Sequence, residues 1–168
     1  MKKIIRISYL VFGLFLAFNL SNYAQAQTQA QEGRIQIGPG LAYGNEAENL
    51  GISVDGYYTI SDQFRAGAAF TYFFPENDIN HYTIDLNGNY IFHQDEQLMA
   101  YAIAGLNIFT YSWDIAGVDD SETELGLNVG AGIEYGLNVG NLFGELKLTG
   151  IAGDADQLVL GAGIRFDI

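Results

Sequence analysis

The chain contains no cysteine, only two prolines and only seven basic residues among its 168. Without cysteine it cannot form a disulfide scaffold, a thiolate metal site, a cysteine nucleophile or a lipidated N-terminal cysteine. The seven bases stand against 20 acids, a formal charge of −13, which argues against nucleic acid as a partner. Glycine, tyrosine and phenylalanine are abundant and 49% of residues are hydrophobic, so the composition favours one all-β domain over a disordered acidic chain.

The first 26 residues predict a secretory signal peptide. Lys2, Lys3 and Arg6 precede an apolar stretch over 7–18, and the segment ends in Ala24-Gln25-Ala26, the small-x-small pattern that signal peptidase accepts. The alternative is a membrane-anchor helix, which needs about 20 apolar residues and is therefore longer than this stretch.

We expect the mature chain to start near Gln27. A short periplasmic segment over 27–32 would then precede a β-barrel domain over 33–168. Removal of the leader takes away three bases and no acid, so the formal charge changes from −13 to −16.

From residue 33 onward, apolar and polar side chains alternate with the period of two that is typical of β-strands. We predict eight strands, over residues 33–44, 50–60, 64–74, 81–93, 98–111, 123–136, 142–150 and 157–168. The fifth is ambiguous because both of its faces are apolar, and we assign Asn107 to its polar face. The pattern predicts an all-β chain, an eight-stranded antiparallel up-and-down β-barrel.

The distribution of charge indicates which face of this barrel is outside. Strand charges fall on the polar faces, which otherwise consist mostly of Gly, Asn, Ser and Thr, whereas a water-facing surface normally carries about 25–35% charged residues. We therefore expect a transmembrane barrel with its apolar faces toward lipid and a polar lumen. Its predicted lumen ion-pair network comprises Arg34, Asp55, Arg65, Asp85, Glu134, Glu145, Lys147, Arg165 and Asp167. Within this network, Arg34 and Asp167 are expected to form ion pairs near the seam where the first and last strands meet.

Aromatic residues gather near the strand ends on the apolar faces, as in the interfacial girdles of membrane barrels. Ordinary β-propensity is the alternative explanation. The predicted girdle residues are Tyr43, Tyr58, Phe64, Tyr72, Phe74, Tyr82, Tyr90, Phe92, Tyr135 and Phe166.

Predicted connections alternate between tight turns (61–63, 94–97, 138–141) and longer loops (44–49, 75–80, 112–122, 151–156). Short periplasmic turns and longer extracellular loops are the membrane-barrel arrangement, so we expect both termini in the periplasm.

Together these features resemble the small OmpA/OmpX-type outer-membrane barrels of Gram-negative bacteria, and more broadly the outer-membrane protein β-barrel domain family. The resemblance covers 33–168 and rests on the leader, the closing strand, and Gly-aromatic strands such as 37–43 and 127–132. It implies contact with outer-membrane lipid and with the assembly machinery, which usually reads an aromatic residue at the end of the last strand. Here Phe166 lies two places early and Ile168 holds the last position.

The sequence leaves three functional hypotheses. The first is a non-enzymatic outer-membrane protein with a structural or surface-interaction role, whose lumen is filled because eight strands leave room only for side chains. In such a lumen, structural plugging is favoured over a proton or ion path. The second is a secreted, soluble, lipocalin-like barrel that binds a small apolar ligand. The third is a lipid-modifying barrel enzyme, for which His81 with Asp78 is the candidate pair; His93 lies about 40 Å from His81 and cannot join it.

Acidic residues dominate the predicted loops, with no base among them. These acids indicate a solvated acidic surface or, more weakly, a site for divalent cations. The sequence identifies no cofactor and no extracellular partner. These acids are Glu46, Glu48, Glu76, Asp78, Asp114, Asp119, Asp120, Glu122, Glu124, Asp154 and Asp156.

Overall fold

The computed structural model describes residues 30–45, 49–76, 79–115, 118–153 and 156–168. The predicted signal peptide lies outside these ranges. Eight strands follow one another in chain order: β1 (Ile35–Gly44), β2 (Asn49–Ser61), β3 (Phe64–Glu76), β4 (Ile79–Gln94), β5 (Leu98–Ile115), β6 (Val118–Leu137), β7 (Gly140–Ile151) and β8 (Gln157–Asp167). None of the described residues belongs to a helix long and apolar enough to cross a membrane.

The strands close into a barrel. Each strand pairs antiparallel with the next, and β8 returns to pair antiparallel with β1, where Ile37 faces Phe166. The β1–β8 ladder is interrupted around Pro39, which has no N–H to donate. Closure removes the sheet edges, so backbone polar groups find partners within the barrel. The predicted all-β, eight-stranded antiparallel barrel is thereby confirmed.

Several predicted strand ends are wrong. The predicted loop over 112–122 is largely strand, because β5 continues to Ile115 and β6 starts at Val118. The predicted loop over 75–80 is likewise mostly strand, with Glu76 facing Ile79 across β3 and β4. In both places the polar sequence ends the hydrophobic alternation, but the backbone ladder needs only a neighbouring strand and therefore continues beyond it.

The remaining differences are shifts of one or two residues. β1 starts two residues later than predicted because Gly33 and Arg34 belong to a preceding turn, and β8 ends before Ile168. Beyond that end, the backbone N–H of Ile168 still donates to the carbonyl of Ile35 at 3.1 Å.

Side chains alternate between the lumen and the outside of the barrel. On β5, the face that the sequence left ambiguous is resolved: Met99, Tyr101 and Ile103 are buried, and Leu106 is exposed. Asn107 lies on the buried side, as assigned. The inward face of β5 is apolar near one end of the barrel because it helps to close that end.

Buried side chains lie in the lumen near both ends of the barrel and between them. We call the end with the β2–β3, β4–β5 and β6–β7 connections the short-turn end, and the opposite end the hairpin end. Buried apolar side chains lie near both. The cluster near the hairpin end contains Ala42, Phe73 and Val159, and the cluster near the short-turn end contains Ala30, Ile91, Met99, Tyr101 and Ile103. Charged and amide side chains occupy the lumen between them.

Candidate functional site

Arg165 on β8 connects several of the buried polar side chains of the lumen and has no exposed surface. Its Nε donates to Asp55 Oδ1 at 3.0 Å, and its Nη2 donates to Asp55 Oδ2 at 2.6 Å and to Glu145 Oε1 at 2.7 Å. Its Nη1 donates to Glu134 Oε1 and, at 2.9 Å, to the hydroxyl of Tyr101. One guanidinium therefore joins side chains from β2, β5, β6 and β7 across the barrel.

Arg65 on β3 shares an acid with Arg165. Its Nη1 lies 2.6 Å from Glu134 Oε1 and donates to Gln36 Oε1 at 3.1 Å. The ring of Tyr57 holds both guanidiniums, with its centroid 4.7 Å from the Arg65 Cζ and 4.6 Å from the Arg165 Cζ. Cation–π contacts of this kind gain strength when they are shielded from water, so the ring helps to keep two like charges side by side.

A second ion pair lies in the same lumen. Lys147 Nζ on β7 donates to Asp85 Oδ2 on β4 at 2.6 Å, and both side chains are buried. The other oxygen of Asp85 accepts from Asn107 Nδ2 at 2.6 Å. Asn128 Nδ2 donates to Asn87 Oδ1 at 3.1 Å, which extends the polar network across β4, β5 and β6.

Two members of the predicted ion-pair network lie at the seam between the first and last strands, where they were expected. Arg34 and Asp167 form a two-bonded ion pair, with Nε to Oδ1 and Nη2 to Oδ2 both at 2.7 Å. The pair joins the turn before β1 to the end of β8, at the rim of the barrel rather than inside it, and Asp167 is exposed. It fastens the seam where the first and last strands meet.

The buried charges nearly balance. In the part of the chain that the structure describes, three buried bases (Arg65, Lys147 and Arg165) face four buried acids (Asp55, Asp85, Glu134 and Glu145), a formal net charge of −1. Unpaired buried charge is costly, and each of these seven side chains contacts an opposite charge. With its charges paired and apolar clusters above and below, the network can crosslink the strands.

Sequence reasoning missed the aromatic members of the network. Tyr101 donates its hydroxyl to Glu145 Oε1 at 2.8 Å, and its ring centroid lies 4.3 Å from the Arg65 Cζ. Phe143 lies under the other guanidinium, 3.9 Å from the Arg165 Cζ. The alternation of the strand could have predicted the position of Phe143, because position 143 shares a strand face with Glu145 and Lys147. The alternation could not predict the direction of Tyr101 as well, since both faces of its strand are apolar.

The outside of the barrel is apolar. Leu127 is 48% exposed, while the neighbouring inward Asn128 is 1% exposed. All ten predicted girdle aromatics lie on outward positions of the strands. Four are near the hairpin end and six near the short-turn end: Tyr43, Tyr72, Phe74 and Tyr82, then Tyr58, Phe64, Tyr90, Phe92, Tyr135 and Phe166.

Among the described residues, the catalytic and metal-binding candidates do not form a site. His81 is at the hairpin end, where its ring lies 5.8 Å from that of Phe109, and its candidate partner Asp78 lies outside the described residues. His93 is at the other end, 3.6 Å from Asp95. Among the described residues, no group of three or more acidic or histidine side chains could hold a metal ion.

Few of the predicted loop acids have described side chains. Glu122 and Asp156 are exposed and Glu124 is half-buried, all at the hairpin end. The hydroxyl of Tyr111 donates to Glu124 Oε1 at 3.2 Å, so this acid faces the neighbouring strand. Acidic side chains are thus presented at the hairpin end of the barrel.

Three solved structures share this architecture. The N-terminal β-barrel domain of OprF from Pseudomonas aeruginosa is 17% identical with a TM-score of 0.65, over 82% of this chain and 98% of that chain. Ail, the attachment invasion locus protein of Yersinia pestis, is 19% identical with a TM-score of 0.55, over 81% and 100% of the two chains. Neisserial surface protein A is 21% identical with a TM-score of 0.59, over 80% and 95%.

The fold is that of the small outer-membrane β-barrels. The likeness that the sequence predicted to small eight-stranded barrels is therefore confirmed at the level of the fold. No family model and no curated protein sequence matches the chain. At 17–21% identity this likeness concerns the architecture alone.

Proposed function

We propose that this chain is an integral outer-membrane protein without enzymatic activity, with a structural or surface-interaction role. The observation that carries the proposal is the sidedness of the barrel: Arg165 is fully buried, and large apolar side chains such as Leu127 are exposed all round. In water this surface would be an extensive exposed apolar patch, whereas a barrel in lipid needs an apolar outer surface. The two groups of outward aromatics would lie at the two interfaces.

The same sidedness disfavours the soluble, ligand-binding alternative. A lipocalin-like barrel encloses an apolar cavity and faces water with polar residues, whereas seven of the side chains described inside this lumen are charged. The lipid-modifying alternative has a half-buried His81 that contacts an aromatic ring. Neither alternative has an observation in its favour comparable with the exposed apolar exterior.

We propose a plugged lumen rather than an open pore. Three crosslinked cations and two apolar clusters occupy the interior of an eight-stranded barrel, which is just wide enough for side chains. The ion pairs then serve as structural filling. In planar bilayers, the protein is expected to give no conductance above the lipid background; stable conducting steps would contradict this.

We further propose that the short-turn end faces the periplasm and the hairpin end faces outward, with the leader removed near Ala26. Exposed acids such as Glu122 would then meet the cell exterior and repel polyanions, so the surface role would involve neutral or cationic partners. Membrane barrels have short periplasmic turns and longer outer segments, and β5 with β6 forms the longest hairpin here.

Fractionation tests the location. When the full chain is expressed in a Gram-negative host, we expect it in the outer membrane, resistant to extraction by urea, and soluble only in detergent. The folded form should migrate differently in gels before and after boiling. Recovery of a folded protein from the periplasm without detergent would overturn the proposal.

Orientation is testable because the natural chain has no cysteine. An impermeant maleimide applied to intact cells should label Glu122→Cys. It should label Asp95→Cys, the matched exposed position at the short-turn end, only after the outer membrane is opened. The reverse pattern would invert the proposed orientation.

A further inference from the structure

The residues immediately before β1 fold under the short-turn end of the barrel. Ala30 is 5% exposed and belongs to the apolar cluster with Ile91, Met99 and Ile103, which line the lumen from β4 and β5. Its backbone N–H donates to Gln94 Oε1 at 3.2 Å. A residue that precedes the first strand is thus buried on the far side of the barrel mouth.

A tight turn makes this placement possible. The N–H of Arg34 donates to the carbonyl of Gln31 at 3.1 Å, and Gly33 has a φ of 84°. A four-residue turn with a positive φ at its third position is a type II turn, which favours glycine there. No atom would lie within 4 Å of a Cβ at Gly33, so the preference for glycine is conformational rather than steric crowding.

Both ends of the turn are fastened to the barrel. The N–H of Gly33 donates to the carbonyl of Thr59, and the N–H of Thr59 donates to the carbonyl of Arg34, both at 2.9 Å. The Arg34 side chain is held by Asp167 on β8. The segment therefore contacts β2, β4, β5 and β8, on different sides of the mouth.

We propose that residues 30–34, here called the strap, close the short-turn mouth of the barrel and seal the charged lumen from solvent at that end. The strap supplies the Ala30 methyl as an apolar cover over Met99, and the turn and the Arg34–Asp167 pair hold it there. The proposed function implies that this mouth opens to the periplasm. The inference that the strap closes the mouth depends only on the contacts described above.

Single-cysteine labelling tests the strap, because the chain has no other thiol. In isolated outer membranes open to both sides, N-ethylmaleimide should modify Met99→Cys at least tenfold more slowly than Asp62→Cys, an exposed position in the β2–β3 turn. Adding Ala30→Asp, which places a charge in the apolar cluster, should raise the Met99→Cys rate at least tenfold. Gln31→Asp adds the same charge at an exposed neighbouring position and should leave the rate unchanged.

A second pair of variants acts through the turn alone. Gly33→Val is strained at positive φ and should release the strap and expose Met99→Cys, whereas Gly33→Asn, which tolerates this conformation better, should keep the protection. Heat-modifiable gel mobility reports for each variant that the barrel itself is folded. The proposal would be overturned if Met99→Cys were labelled rapidly without any substitution in the strap. It would also be overturned if neither Ala30→Asp nor Gly33→Val changed the protection of the cysteine at position 99. Fractionation is scored separately, so a folded, strapped barrel outside the outer membrane would reject only the proposed function.

Discussion

The Lys147–Asp85 and Arg34–Asp167 ion pairs have nearly equal lengths, 2.6 and 2.7 Å, but differ in burial. The side chains of the first pair are 8% and 3% exposed, and those of the second are 11% and 53% exposed. Removing one partner of a buried pair costs about 3–5 kcal/mol because the other charge stays buried without its partner. An exposed pair contributes about 0.2–1 kcal/mol. We therefore expect Lys147→Met to lower the free energy of unfolding by about 3–5 kcal/mol, and Arg34→Met by less than about 1 kcal/mol.

A double-mutant cycle separates the pair from its surroundings. Lys147→Met with Asp85→Asn leaves neither charge behind, and the amide oxygen can still accept from Asn107. The double variant should therefore be clearly more stable than the sum of the single losses predicts, with a coupling energy of about 1–3 kcal/mol. The matched cycle, Arg34→Met with Asp167→Asn, should give a smaller coupling energy, of about 0.2–1 kcal/mol.

The assay is urea unfolding of the folded barrel in detergent micelles, followed by heat-modifiable gel mobility. With a urea dependence of about 1–3 kcal/mol per molar, the Lys147→Met midpoint should fall by about 1 M or more. A coupling energy inside the lumen no larger than that at the rim would refute the reasoning, because burial would then make no difference to an ion pair of this length.

Three further outcomes are expected. Leu127→Arg should destabilise the barrel in lipid by about 2–4 kcal/mol, since it places a charge on the outer face that we propose contacts lipid, and a neutral effect on lipid-vesicle unfolding would contradict that proposal. Gly132→Ala should lower stability by about 1–3 kcal/mol because the added methyl would lie 2.5 Å from the Tyr101 ring, whereas Gly144→Ala, with no atom within 4 Å, should change the urea midpoint little. In the β4–β5 turn, the Asp95 carboxylate accepts hydrogen bonds from the backbone N–H groups of Gln97 and Leu98. These bonds lower the pKa of Asp95 below its ordinary value of 3.8. The ionised Asp95 side chain therefore stabilises the fold fully above pH 3.8, and this stabilisation is lost as the pH falls through the lowered pKa. We expect Asp95→Ala to make the unfolding midpoint less sensitive to acid. An unchanged dependence of the midpoint on pH would contradict this expectation.

The direction of most strand side chains could be predicted because it is local. Successive residues of a strand point to opposite faces, so the period of two placed Arg65 and Arg165 together on one side and Leu127 on the other. The structure has this arrangement. β5 was the exception, since Tyr101 and Leu106 are both large and apolar, and only the pairing with its neighbours assigns their faces.

Strand ends were predicted less well for a related reason. The alternation fades in the acid-rich 112–122 segment, but Tyr111 still faces Glu122 and Ser112 faces Ser121 in the ladder. Backbone pairing needs no apolar side chain. A pattern of hydrophobicity therefore marks where a strand presents an apolar outer face better than where the strand stops.

By itself, the sequence determined an alternating, eight-stranded chain with its cations on one set of faces, because side-chain direction depends only on the position within a strand. Tertiary structure alone decided which charges meet: Arg165 lies 110 positions from Asp55 and 31 from Glu134, yet bonds both. It also folded the strap across the mouth. These contacts depend on the register of every ladder and on the narrow cross-section that closure imposes, and both are properties of the whole barrel.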